Sequence, residues 1–350
     1  NVKDYPTCDI SAVLVATGGT EHVLREIEAR SSFLALLYVG KYNSLSATTE
    51  FLAHYREKGN ELLLVEEYSG PESLAELMKI LSTVNEAVKR LANARLGVLG
   101  GISSWLIYSK ASDETVKSRT GAQLVSVSLD ELVEKYEKTG AGKESESIIK
   151  RATESSVNGL EVSKAYRIYD AIKSMLSEKG LDGFTIKCFD LIPRLKTTPC
   201  LALSLFNTDL VPAGCEGDVP LLITMALGEW ATLSPVFMSN VEQITDEHVT
   251  FAHCTSPLVG RYRLMTHFES GIGVGVQVDY GTGDEVTVFR LDSGLSMMRI
   301  GVGRLEEHEW SSEMCRTQLK VRMQGARRII EESIGNHYAI VKGNHVKELE

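Results

Sequence analysis

The chain has 350 residues, 43% of them hydrophobic and 24% charged, with a formal net charge of −10 at pH 7. That length supports a sizeable core and two or three domains, and the composition is that of an ordinary globular protein. The acidic balance, with Lys and Arg spread rather than clustered, argues against a nucleic-acid partner, and the longest apolar runs, such as FLALLYV at 33–39, are too short for a membrane span.

The first segment alternates strand and helix. ISAVLVAT at 10–17 reads as a strand, followed by the turn Gly18-Gly19 and a helix from about Thr20. FLALLYV and ELLLVEEY at 61–68 read as further strands with a helix between them. Pro71 opens a helix in which Leu74, Leu77, Leu81, Val84, Val88 and Leu91 fall at helical spacing; Gly97 is expected to end it before LGVLGG returns to strand. Strands alternating with helices imply a parallel, doubly wound sheet. A second, smaller α/β segment follows to about 183. It holds the strand AQLVSVS, the polar stretch EKTGAGKESES and an amphipathic helix through Val162, Ala165, Tyr169, Ile172 and Leu176, with Gly180 where a C-cap belongs.

From about 234 the texture changes. HVTFAHC, YRLMTHF, IGVGVQVDY, VTVFRL and MMRIGVG are short runs separated by Gly and Asp turns, the pattern of an antiparallel sheet or partial barrel. A last helix near GARRIIEES precedes the strand HYAIVKG. The expected architecture is therefore two doubly wound α/β domains, 1–100 and 101–183, then a β-rich α+β domain over 184–350 that carries the chemistry. The six cysteines (8, 188, 200, 215, 254 and 315) show no CxxC pairing, which argues against a thiolate zinc module and suggests a reducing, cytoplasmic setting. No signal peptide is visible, and a start at Asn1 rather than Met leaves room for a native segment ahead of it.

Two glycine motifs carry no cofactor. TGAGKES at 139–145 lacks the spacing of a phosphate loop, because Glu137 stands where a Gly is needed, and reads as a solvated turn. GIGVG at 271–275 lies in a β-rich run rather than at a strand-to-helix turn, so its glycines read as bulges or close backbone approaches.

LVPAGCEGDVPLLITMAL at 210–227 is more informative. Pro220 fits a first helical turn, Asp218 lies at or just before the N-cap, and Glu216 stands two residues upstream, outside the turn where a capping box would put it. Two readings stay open: the carboxylates cap a buried helix, or they do chemistry at its start. Downstream, His253 ends a strand-like run, LMTHFESG adds His267 and Glu269, and SIGNHYAIV places Asn336 and His337 at a helix-to-strand turn. Imidazole and carboxylate together suit a divalent ion such as Mn²⁺, but spacing alone does not bring these residues together.

AGCEGDVPLLITMAL, TFAHCTSPL, HFESGIGVGVQ, TVFRL and GLDGFTIKCFDL together resemble the L-fucose isomerase/L-arabinose isomerase superfamily, and most of all its short fucose-isomerase-like branch. ATGGTE, NSLSATTE and GGISSWLI are similar to that branch's N-terminal signatures, so the likeness covers nearly the whole chain and is densest from 181 to 291. The resemblance implies an aldose–ketose isomerase acting on a monosaccharide through an enediol, with a divalent metal, usually Mn²⁺, in a C-terminal domain, assembled as a homo-trimer or homo-hexamer. It implies Glu216 as metal ligand and base, Asp218 as partner acid or second base, and Asn240, His253 and His337 as further metal ligands. The family's second metal carboxylate falls in FMSNVEQI, where this chain has Asn240; an amide brings neither charge nor basicity, and Asp218 or Glu242 is the expected substitute. Ser104, Trp105, Lys187 and Asp190 stand in family-like motifs as substrate-binding residues, although Trp105 can equally be core and Lys187 can simply pair with Asp190. The alternatives are a sugar-binding or regulatory paralogue without turnover, and an epimerase using the same enediol chemistry.

Overall fold

A computed structural model describes residues 7–59, 63–140 and 144–350. The elements in chain order begin with β1 (Cys8–Val15), α1 (Glu21–Glu28), β2 (Ser31–Tyr38), α2 (Ser44–Glu57), β3 (Leu63–Glu67) and α3 (Pro71–Asn93). Next come β4 (Arg95–Leu99), α4 (Asp113–Thr120), β5 (Gln123–Val127), α5 (Leu129–Lys138), α6 (Ser145–Arg151), β6 (Glu154–Ser155), α7 (Gly159–Lys179) and β7 (Gly183–Ile186). Then follow α8 (Cys188–Leu195), α9 (Cys200–Thr208), β8 (Ala213–Cys215), α10 (Val219–Thr232), β9 (Val236–Ile244) and β10 (His248–His253). The chain continues with β11 (Tyr262–Met265), β12 (Gly275–Val278), β13 (Glu285–Leu291), β14 (Met298–Glu306), β15 (Thr317–Met323), α11 (Arg328–Glu331), β16 (His337–Lys342) and α12 (Val346–Leu349).

Where three domains were expected, the chain falls into two compact units, 1–83 and 84–350. The first contains the parallel sheet β1-β2-β3, as the alternating pattern predicts. Leu24 and Ile27 of α1 and Ala47, Phe51 and Tyr55 of α2 pack with Val15, Leu34 and Leu36 of the strands. Gly97 does not end the preceding helix: α3 stops at Asn93, and Gly97 sits inside β4. There a side chain would press on Leu99, Leu181 and Phe184, so the glycine serves close packing rather than a turn.

The second unit contains a parallel sheet in the order β5-β4-β7-β8. Its strands come from all three of the segments expected as domains, and the expected boundary at 183/184 falls inside β7. The β-rich part closes completely, in the order β10-β15-β14-β13-β16-β9, with every neighbour antiparallel. The partial barrel of the sequence reading becomes a whole one because β9 pairs with β10 on one edge and β16 on the other, which leaves no open edge. A small separate sheet, β12-β11-β6, is tied to the barrel by Thr317 of β15, whose hydroxyl bonds to Val276 and Val278 of β12. Helix α10 is buried along almost its whole length, which explains its all-round apolar sequence.

Several local expectations are met. Asp218 is the N-cap of α10, its side chain accepting from the Leu221 amide, with Pro220 in the first turn. Gly180 closes α7 in the left-handed conformation. GIGVG places Gly273 against Thr198, a close backbone approach, ahead of β12. The turn expected at TGAGKES includes 141–143, which lie outside the described residues, as do 61 and 62 of the third expected strand. Among the described residues, no helix is long and apolar enough to cross a membrane.

Candidate metal and proton-transfer site

The site forms where β8 ends, β10 ends and β16 begins. Glu216 follows β8 directly and is a non-glycine residue in the left-handed region, with φ +61°. Such a backbone costs of order 1–3 kcal/mol and persists only where the surroundings impose it. They do so here: the Glu216 carbonyl accepts from the Ser103 amide at 3.0 Å. Gly217, at φ +75°, lies so close to the 101–102 backbone that a Cβ would fall 2.3 Å from the Gly101 carbonyl oxygen. Only glycine can occupy that position.

Glu216, His253 and His337 each offer a ligand atom, all within 4.8 Å of one another. Both histidines are buried and Glu216 is 9% exposed. The Trp105 indole N–H donates to Glu216 Oε2 at 2.6 Å, and His337 Nε2 lies 3.5 Å from Oε1. His337 Nδ1 is 2.9 Å from Asp218 Oδ2, while Asn336 Nδ2 lies 3.2 Å from Nε2. His253 Nδ1 pairs with Thr255 Oγ1 at 2.8 Å, which leaves its Nε2 for the cluster.

Asp218 is anchored from the other side by Arg290, both with no exposed side-chain surface. The Arg290 guanidinium donates to Asp218 Oδ2 at 3.2 Å, to the carbonyls of Ile334 and His337 at 2.7 Å each, and to Ser109 Oγ at 2.8 Å. A buried ion pair is costly unless its remaining donors find partners, and here each of the three guanidinium nitrogens donates at least one hydrogen bond. The guanidinium fits because Gly335, at φ +132°, has no side chain; a Cβ there would lie 2.5 Å from it. Arg290 and Ser109 escaped the sequence reading. The available signal was a single Arg inside the otherwise apolar VTVFRL.

These contacts set the charges. Burial pushes Glu216 up, but the His337 hydrogen bond and charge and the Trp105 hydrogen bond outweigh it and hold the carboxyl down to about 2. Burial, with His337 nearby, pushes His253 down to about 3, so it is neutral as a metal ligand must be. Burial also disfavours charge on His337, but Asp218 and Glu216 on either side raise it above its ordinary value. Burial would raise Asp218, yet Arg290 and His337 keep it below the usual carboxylate range.

The other expected residues divide. Asn240 lies directly opposite His337 in the β9–β16 register, so the amide stands on the same barrel face as that imidazole. Trp105 is not core: it is 48% exposed and bonded to Glu216. Ser104 is exposed in the same loop. Lys187 and Asp190 pair with each other at 2.7 Å at the start of α8. Phe189, between them, escaped notice. Its ring meets Trp105 edge-on at 5.2 Å and His267 at 5.8 Å, so an aromatic wall runs from Glu216 to His267. Among the described residues no second carboxylate joins the cluster: Glu242 and Glu269 are both exposed, although Glu216 and Glu242 are near enough for their charges to act on Glu269.

A carboxylate and two buried imidazoles, each held at Nδ1 by a hydrogen-bond partner, beside an aromatic wall, are suited to holding a divalent ion and moving a proton on a small polar substrate. Comparison with known proteins finds a partial likeness to sugar isomerases. The chain is similar to a sulfoquinovose isomerase of Priestia aryabhattai, 26% identical over 238 residues, covering 64% of this chain and 53% of the relative. The sulfoquinovose isomerase of Priestia megaterium (strain ATCC 12872 / QMB1551) matches with the same identity and coverage. The chain thus spans about half the length of the curated relatives it matches. No family model matches it.

Proposed function

We propose that this chain is a metal-dependent aldose–ketose isomerase acting on a monosaccharide, of the fucose- and arabinose-isomerase type that its motifs resemble. The observation that carries the reading is the convergence of Glu216, His253 and His337 within 4.8 Å, with the outer nitrogen of each imidazole already engaged. Neutral His253 and ionised Glu216 are the donor states a divalent cation requires, and the mixed nitrogen and oxygen set fits Mn²⁺. Glu216, His253 and His337 would hold the ion, with the Asn240 amide oxygen as a fourth donor. Bound there, it would polarise the substrate carbonyl and template two adjacent oxygens.

In this reading Glu216 takes the proton from C2 and returns it to C1, while the hydroxyl proton of O2 passes to O1 and the carbonyl moves from C1 to C2. Its carboxylate stays aimed because Trp105 holds Oε2 while Oε1 faces His337. The exchange passes through a cis-enediol, and a positioned base of this kind contributes ~10²–10⁴-fold. Asp218 acts as a positioning residue rather than the second base. It is fully buried, and its oxygens serve the Leu221 amide, Arg290 and His337. Trp105 and Phe189 offer an apolar face to the sugar's C–H groups. Assembly as a homo-trimer or homo-hexamer belongs to the same proposal, supported by Ile107 and Tyr108, 86% and 47% exposed beside Trp105. So does a reducing, cytoplasmic setting, supported by six free cysteines.

The test is a metal-stripped protein reloaded with Mn²⁺ and offered pentoses, hexoses and C6-modified hexoses, sulfonated ones included, in D₂O. Ketose formation with deuterium uptake at the exchanging carbon is expected, abolished by chelation and by Glu216→Gln. Absence of both product and exchange across the panel would refute the proposal. Asn240 favours a second reading, a sugar-binding paralogue, which would bind tightly without exchange; deuterium uptake with an epimeric product would instead indicate an epimerase.

A further inference from the structure

His267 is 6% exposed, and the chemistry described so far does not use it. It lies in a tight turn between β11 and β12, where its amide donates to the Ile272 carbonyl and its carbonyl accepts from the Gly271 amide. On the ring, Nδ1 accepts from the Ser270 amide at 3.3 Å and lies 2.9 Å from Ser270 Oγ. A nitrogen that accepts from a backbone N–H carries no proton of its own, so the neutral ring has its hydrogen on Nε2. That N–H has the Glu269 carboxylate 3.9 Å away, beyond hydrogen-bond range. The donor is thus fixed in direction on a buried ring and, among the described residues, has no side-chain acceptor within hydrogen-bond range.

Its position gives the donor a use. The His267 ring closes the far end of the wall that starts at Glu216 and runs through Trp105 and Phe189. It is close enough to Glu216 and His253 to feel or exert charge on each. Burial, with Arg316 nearby, holds it down to about 4, so it works as an uncharged donor across the neutral range. An uncharged donor on an apolar wall suits a hydroxyl or carbonyl oxygen, and it leaves the charge of the Glu216 base untouched.

We propose that His267 is a substrate-binding residue whose Nε2–H donates to one oxygen of the sugar, along the wall formed by Trp105 and Phe189. Ser270 is its positioning residue. The idea rests on the sugar-isomerase reading and adds a specificity determinant to it: a site built to hydrogen-bond one hydroxyl discriminates strongly against a sugar that lacks it.

The experiment compares wild type, His267→Ala and His267→Gln, whose amide nitrogen reaches near the Nε2 position. Measurements are KM, kcat, Mn²⁺ affinity by calorimetry, and binding of the substrate and its monodeoxy analogues. For His267→Ala, KM or sugar Kd is expected to rise about tenfold with Mn²⁺ affinity unchanged, and His267→Gln should recover most of the loss. For one monodeoxy sugar the difference between wild type and His267→Ala should vanish. Unchanged sugar affinity in His267→Ala would overturn the proposal, as would an equal loss of Mn²⁺ binding or a penalty that no monodeoxy sugar removes. If wild type binds a sugar without turnover, the isomerase reading fails, and the binding comparison still decides the role of His267.

Discussion

Replacing Asp218 by Asn keeps the size of the side chain and exchanges one carboxylate oxygen for an amide, which separates the two roles this residue could have. As a helix cap Asn is nearly equivalent to Asp, so a residue that only capped α10 would lose a few tenths of a kcal/mol. The structure gives a different magnitude. Asp218 is the one carboxylate bonded to Arg290, whose other partners are two carbonyls and the Ser109 hydroxyl, and neither side chain of the pair is exposed. Removing one partner of a buried pair leaves the other charge uncompensated, a loss of about 3–5 kcal/mol. The substitution also removes the group that orients His337, which weakens metal binding about 10–100-fold. Guanidinium unfolding of the metal-free protein, followed by tryptophan fluorescence, reads the relevant unit, because Trp105, Trp230 and Trp310 all lie within 84–350. A wild-type midpoint for Asp218→Asn would refute the anchoring argument and return Asp218 to a simple cap.

The remaining predictions concern neighbours of that anchor. Gly335→Ala should destabilise by more than ~1 kcal/mol, since Ala resists φ +132° and its methyl would displace the Arg290 guanidinium; thermal unfolding checks this. Glu216 stays ionised down to about 2, so its stabilisation is complete above the unfolded carboxylate value of ~4.3 and is lost as pH falls towards 2. Trp105→Phe removes a donor to that carboxylate and raises its pKa, so the variant should lose less stability than wild type on acidification through this range. Asp218 and Glu216 raise the pKa of His337, so a metal bound at its Nε2 competes with a proton. Titrating Mn²⁺ near pH 7 in buffers of different ionisation enthalpy should therefore show proton release, with affinity rising as pH rises. No proton release would contradict competition between metal and proton at His337.

The sequence by itself determined what neighbouring residues decide. The cap at Asp218 and Pro220, the C-cap at Gly180, the start of α3 at Pro71 and the switch to short strands after 234 all depend on hydrogen bonds and periodicity within a few residues. Gly97 misled because a lone glycine near a helix end looks like a stop signal, whereas here it answers to Leu181 and Phe184 across the sheet. The motifs also singled out Glu216, His253 and His337, which the structure brings together. Only the tertiary structure decided that meeting, because it depends on barrel closure and strand register: Asp218 and His337 are 119 residues apart when they share a hydrogen bond. The same register put Asn240 opposite His337 and delivered Arg290 to Asp218 from β13, while the packing of α8 set Phe189 between Trp105 and His267. A buried charge pair leaves little trace in local pattern, since each partner satisfies a need created by the other.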